Sequence, residues 1–224
     1  MKSCIERRKF LSCAARAAIA AGLAPLMGCG RNNEAVPSTS PPASGGDERM
    51  AFKEKLEEMR AMPRDLVEKL LQQKASSYMQ RAHHCAQSSF LALRDLFGLP
   101  GKEIVKALTP MPGIADTGST CGALSGSLLI LGMVYGRDEH ELADWEAYQE
   151  SLKPSRALCA AFKESYGSLD CHRVQEDTFG RCYRLTDPAE LAQFQKDGAT
   201  EGCTAVVSRA ISLAASIILD DPNL

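Results

Sequence analysis

The sequence predicts an all-α fold, a compact helical bundle over residues 50–224, preceded by an export segment and a flexible linker. Three observations predict it. From about residue 50 apolar residues recur with the 3.6-residue period of a helix, and no alternating strand pattern interrupts them. Aromatic residues make up only 6% of the chain and β-branched runs are scarce. Gly-Pro punctuation, as in Gly98-Leu99-Pro100-Gly101, falls between the periodic stretches.

The elements follow in order. Met50–Met62 reads as a charged helix, and Leu66–Gln80 as a second, entered after Pro63, with Leu66, Val67, Leu70 and Leu71 on one face. His84–Phe97 is a third and Lys102–Leu108 a short fourth. Ser119–Tyr135 is the most apolar and is expected at the centre. Glu139–Phe162 reads as one long amphipathic helix, kinked or broken at Pro154. Gly167–Arg184 is the least regular stretch. Leu185–Phe194 is short, and Thr200–Leu219 closes the chain.

The first fifty residues have a different character. Arg7-Arg8-Lys9 precedes Phe10-Leu11, and an Ala-rich apolar run follows to Met27, interrupted by Arg16. A spanning helix needs roughly 20 apolar residues, so the run fits the apolar part of an export signal better. The paired arginines resemble a twin-arginine signal. Leu26-Met27-Gly28-Cys29 resembles a lipobox, in which cleavage leaves Cys29 to carry the lipid. Residues 1–28 are therefore read as a signal peptide and residues 29–49 as a lipid-anchored tether, rich in Pro, Ser and Gly. The expected location is the periplasmic side of the membrane. Loss of residues 1–28 removes five basic residues and one acid, leaving 21 basic against 27 acidic and a net charge of -6. No basic face for nucleic acid is expected. The twin-arginine route carries folded proteins, which favours a bound centre.

Six cysteines fall in the bundle: Cys85, Cys121, Cys159, Cys171, Cys182 and Cys203. None forms C-x-x-C, so the close-spaced thiol-exchange and zinc motifs are absent. None forms C-x-x-C-H, so covalent haem is excluded; Cys171-His172 comes nearest, with Ser168 where a cysteine is needed. Cys85 and Cys203 open apolar faces and point inward. Cys121 is expected in the first turn of a helix capped by Ser119 or Thr120, where the helix dipole lowers a thiol pKa. Gly118, Gly122 and Gly126 flank it, and small residues four apart let a helix or a cofactor approach the backbone closely. His83, His84 and His172 could each replace one ligand. Asp138-Glu139-His140-Glu141 reads as a solvated helix start.

Cys85-Ala86-Gln87, Cys121-Gly122-Ala123-x-x-Gly126, Phe162-x-x-x-Tyr166-Gly167-Ser168-x-x-Cys171 and Cys203 together resemble the C_GCAxxG_C_C family of redox-active proteins over about residues 80–220. A related cysteine arrangement occurs in split-Soret cytochromes c, where an iron–sulfur centre accompanies the haem. The resemblance implies metal ligation by Cys85, Cys121, Cys171 and Cys203. Cys159 and Cys182 lie outside the family pattern and are read as an added disulfide.

Three functions are weighed. An iron–sulfur or other metal centre held by the four cysteines would transfer electrons. A disulfide pair among them would exchange with partner thiols. Three bridges would staple a helical binding module of a membrane redox or transport complex. The first is favoured, with a redox or transport protein as partner; the oligomeric state is left open. No Ser/His/Asp order or paired-carboxylate pattern calls for hydrolysis.

Overall fold

The computed structural model describes residues 45–224. The expected signal segment, the expected lipid anchor Cys29 and most of the expected tether lie outside the described residues. Among these, ten helical elements and one 3-10 turn account for the regular structure, with no strand. They are α1 (Gly45–Ala61), α2 (Arg64–Ala82), α3 (Cys85–Phe97), α4 (Lys102–Ala107), α5 (Gly113–Asp116), α6 (Gly122–Tyr135), α7 (Trp145–Tyr166), α8 (Cys171–Phe179), α9 (Pro188–Lys196) and α10 (Ala199–Leu219). The all-α expectation holds.

α6 sits at the centre because its sequence is apolar on nearly every side. Gly122, Ala123, Leu124, Gly126, Ser127, Ile130 and Leu131 are all buried. α3, α7 and α10 pack around it, and α2 packs on α3 and α10. Phe90, Leu93, Phe97, Leu158, Phe162, Val207, Ile211 and Ile218 fill the space between them. α10 is long and apolar enough by composition to cross a membrane, but Val206, Val207, Ala210, Ile211, Ala214, Ala215 and Ile218 form a face buried in this core. A second, smaller cluster gathers Tyr183, Phe194 and Ala199, with Phe179, Leu185 and Cys203 against it. Cys203 packs on both clusters.

Several boundaries differ from the sequence expectation, each for a local reason. α1 begins at Gly45, inside the expected tether, with Asp47 and Glu48 at its positive end. The stretch expected as one helix from Glu139 starts instead as a 3-10 turn, Glu139–Glu141, in which the Glu141 carboxylate accepts from the Asp138 amide at 2.9 Å. α7 then starts afresh at Trp145, where Asp144 accepts from the Ala147 amide at 2.9 Å. Pro154 does not break α7, which stays helical through it. The carbonyl that loses its partner belongs to Glu150, an exposed residue, where water can serve it. Within the stretch expected to be irregular, Cys171–Phe179 is helical, with Asp170 at its start and Gly180 at φ 74° closing it.

The closest approach in the bundle is between α3 and α6. A Cβ on Gly126 would collide with the Ala86 carbonyl oxygen and lie 3.1 Å from Ser89 Cβ. Gly132, on the exposed side of the same helix, has nothing within 4 Å of that position. Gly126→Ala should therefore destabilise by ~1–3 kcal/mol through overpacking. Gly132→Ala should stabilise by about 0.5–1 kcal/mol through helix propensity alone. Urea midpoints of the two variants would move in opposite directions, and equal shifts would contradict the packing described.

Candidate functional site

Four cysteines come together where the two clusters meet. Cys85 is the first residue of α3 and Cys171 the first of α8. Cys121 immediately precedes α6, as its N-cap residue. Cys203 lies in the second turn of α10, which starts at Ala199. An isolated antiparallel bridge, Thr120 with Asp170, ties two of these starts together. The Cys121 amide donates to the Leu169 carbonyl at 2.8 Å, and the Cys171 amide to the Ser119 carbonyl at 2.6 Å. The residues expected to cap α6, Ser119 and Thr120, are used in this bridge instead.

The three glycines set the distances. A Cβ on Gly122 would collide with Cys85 Sγ and lie 3.0 Å from Pro112 Cα. A Cβ on Gly118 would collide with the His172 ring. The close approach inferred from Gly118, Gly122 and Gly126 is thus an approach of protein: a histidine ring, a cysteine sulfur and the α3 backbone. Gly118 also needs its freedom, at φ 86°.

Cys85, Cys171 and Cys203 line a cavity of about 370 Å³ whose wall also includes Met79, His83, Pro112, Gln175, Leu185, Phe194 and Thr200. These three are half-buried because they face the cavity, yet protein surrounds them densely. Cys121 is buried at 4% exposure, behind them. Cys159 is a free thiol on α7, half-buried against the main core and away from this wall. The expected Cys159–Cys182 bridge is therefore not formed: Cys182 instead leads into Tyr183 of the smaller cluster. Cys85, Cys121, Cys171 and Cys203 are free thiols as well, so three bridges do not staple this bundle.

Burial governs the ionisation of all four. It pushes Cys85 well above the usual thiol value, and Cys121, Cys203 and Cys171 add to the push. Cys171 rises for the same first reason, then through Cys121, Cys203 and Asp116. Cys203 is pushed up to about 12 by burial and then by Cys121. Each thiol opposes its neighbours' charge, which itself reports that they are close. Cys121 is also raised, contrary to the expectation from the helix dipole: burial outweighs the Ala123 and Leu124 amides, which pull the other way but make no capping hydrogen bond to the side chain. Tyr166, whose ring centroid is 4.9 Å from that of Phe162, is raised to about 12, first by burial and then by Cys121.

The histidines are mostly occupied. His84 Nδ1 accepts from the Gln87 amide at 3.2 Å, capping α3, while Nε2 faces the Thr109 carbonyl at 3.1 Å. His172 packs under Gly118. His83 lines the cavity, with Nδ1 3.3 Å from Thr200 Oγ1. Two features escaped the sequence reading. Gln175 is buried, with Nε2 3.5 Å from Cys171 Sγ; the Asp170 start and Gly180 stop of α8 were the signal that places it one turn after Cys171. The α5 turn, Gly113 to Asp116, runs entirely at positive φ, which no local sequence pattern announces.

The spacing of the donors limits what they hold. Among the described residues, three donor atoms gathered within 4.8 Å of one another occur at Asp138, His140 and Glu141, a mostly exposed set of which Asp138 and Glu141 are already used in the 3-10 turn. No three of the four sulfurs fall within that spacing. A single tetrahedral ion with bonds of about 2.3 Å would draw them to roughly 3.8 Å. The four sulfurs are therefore spread more widely than the ligands of one such ion.

In the metal-free protein the buried thiols hold their protons to higher pH than in the unfolded chain. This contribution to stability is complete below about pH 8.5, the usual thiol value, and is lost as pH rises towards the folded value. For Cys203 the loss amounts to up to about 1.4 kcal/mol per pH unit between about 8.5 and 12. Urea midpoints of the metal-free protein should fall steadily from about pH 8 to about pH 10; a flat profile would contradict the burial of these thiols.

Comparison with known proteins agrees with the geometry. A family model described as "Putative redox-active protein (C_GCAxxG_C_C)" matches residues 83–217, which includes all four cysteines of the site. No curated protein and no solved structure matches the chain. The chain belongs to the C_GCAxxG_C_C redox-active protein family.

Proposed function

We propose that Cys85, Cys121, Cys171 and Cys203 hold an iron–sulfur cluster and that the chain transfers electrons. The observation that carries this reading is the gathering of four free thiols near the starts of four helices, three of them facing one cavity and Cys121 buried behind them, spaced more widely than one ion draws its ligands. When bound, the cluster supplies reversible one-electron chemistry. The chain's own residues do the rest. The four cysteines release their protons on ligation, so uptake is pH-dependent. Gly122 leaves room for Cys85 Sγ, and the Thr120–Asp170 bridge holds the main chain at Cys121 and Cys171 in register. Met79, Pro112, Leu185 and Phe194 give the cavity apolar walls that limit water around the sulfurs.

Thiol exchange is less well supported. It needs a thiolate near neutral pH, and burial pushes all four thiols away from that state. Export, lipid attachment at Cys29 and a redox or transport partner at the membrane complete the reading.

The full chain, purified and reconstituted anaerobically, should contain iron and acid-labile sulfide and absorb in the visible. Cys121→Ser and Cys203→Ser should each reduce iron content to a small fraction of the parent value while the far-ultraviolet helical signal persists. A colourless, iron-free parent protein after reconstitution would sink the proposal.

A further inference from the structure

We infer that Gln175 is a positioning residue that sets the reduction potential of the centre by donating a hydrogen bond to the sulfur of Cys171. The inference rests on the cluster reading above and extends it to a residue outside the ligand set.

The geometry fixes which end of the amide faces the sulfur. Gln175 is 3% exposed. Its Oε1 accepts from the Tyr183 backbone amide at 2.8 Å. A backbone N–H can only donate, so the group facing it must be the carbonyl oxygen. The NH2 end is then left towards Cys171 Sγ, at 3.5 Å. Gln175 lies four residues after Cys171 on α8, so the helix itself presents the two side chains on one face. A buried donor without a partner carries a penalty of about 1–3 kcal/mol, and Sγ is the partner that relieves it.

The far end of Gln175 is also anchored. Tyr183, whose amide it holds, is 1% exposed in the aromatic cluster with Phe179 and Phe194. Its hydroxyl donates to Asp197 at 2.7 Å. The amide is thus fixed in orientation before any electron arrives, which is the condition for a dipole to act on charge that develops later.

The electron balance gives the sign. One electron enters the centre from an external one-electron donor, and the cluster and its ligand sulfurs become more negative. No bond is made or broken at Gln175. An N–H donor pointing at a ligand sulfur stabilises this reduced, more negative state and raises the potential.

Two substitutions separate this role from a merely structural one. Q175E replaces the N–H donor with a carboxylate oxygen, whose negative charge beside the sulfur disfavours the reduced state further, and keeps an oxygen for the Tyr183 amide. Q175M is neutral and of similar shape, and removes both. Each reconstituted full-length protein would be titrated against a series of one-electron mediators with dithionite as reductant, and iron, sulfide and thermal midpoint measured on the same samples. Both variants should keep the cluster and shift the oxidised-to-reduced equilibrium by about tenfold towards the oxidised form, roughly 59 mV lower for one electron. An unchanged potential in both variants, with full iron content, overturns the role of Gln175 alone. A shift confined to Q175M assigns the residue to holding Tyr183, and overturns it as well. A parent protein without iron and sulfide overturns the cluster reading and this inference together.

Discussion

The close approach of α3 to α6 is the constraint on which the site depends. Gly126 lets the α6 backbone rest against the Ala86 carbonyl, and Gly122, one turn earlier, lets Cys85 Sγ lie against it. Both glycines weaken α6 as an isolated helix, by roughly 1 kcal/mol each. The helix forms anyway because Leu124, Ile130 and Leu131 are wholly buried among α3, α7 and α10. Burying such side chains stabilises by about 1.5–3 kcal/mol apiece, so packing outweighs propensity. The same contact that joins the two central helices therefore seats one cysteine beside the start of the helix that follows another.

The other two cysteines reach the site by different means. Cys171 is held by main-chain hydrogen bonds of the Thr120–Asp170 bridge, which depend little on side-chain identity. Cys203 is held by packing alone, at the seam between the large core and the Phe179–Tyr183–Phe194 cluster. A site built at such a seam inherits a cavity, because two separately packed clusters do not close on each other completely. The three cysteines that face the cavity come one from each of α3, α8 and α10.

Much of the bundle was legible in the sequence because helices with one apolar face advertise themselves by period. Cys203 shared the register of Val206, Val207, Ala210 and Ile211, so its inward direction could be read. α8 could not be read in that way: with nine residues, of which Val174 and Gln175 alone are buried, it has too little apolar face to show a period. The ionisation of Cys121 was misjudged for a different reason. The dipole of a helix start is a local feature visible in sequence, whereas burial is a property of the whole fold and here has the larger effect. Cys159 and Cys182 looked like a pair only because both were left over, and distance in the fold decides pairing, not arithmetic.

The least legible element is also the most strained. Ile114, Ala115 and Asp116 follow Gly113 at φ of 47°, 54° and 59°, and non-glycine residues in this region cost on the order of 1–3 kcal/mol each. The turn is held by its own hydrogen bonds: the Ala115 amide donates to the Pro110 carbonyl, the Asp116 amide to that of Pro112, and the Thr117 hydroxyl to that of Gly113. These bonds would be available to other turns and do not by themselves require left-handed backbone. What this conformation achieves is placement. It sets Pro112 in the cavity wall, places Gly113 where an added Cβ would lie 3.5 Å from the Cys171 Cβ, and leaves the Asp116 carboxylate close enough to oppose ionisation of that thiol. Strain of this kind persists only where the surroundings over-determine it. Here the surroundings are the Gly118–His172 contact, the paired main chain at Ser119 and Cys171, and the packed start of α6. The fold thus holds its most unfavourable backbone beside Cys171 and in the wall of the thiol cavity, where it shapes the site at a cost in stability.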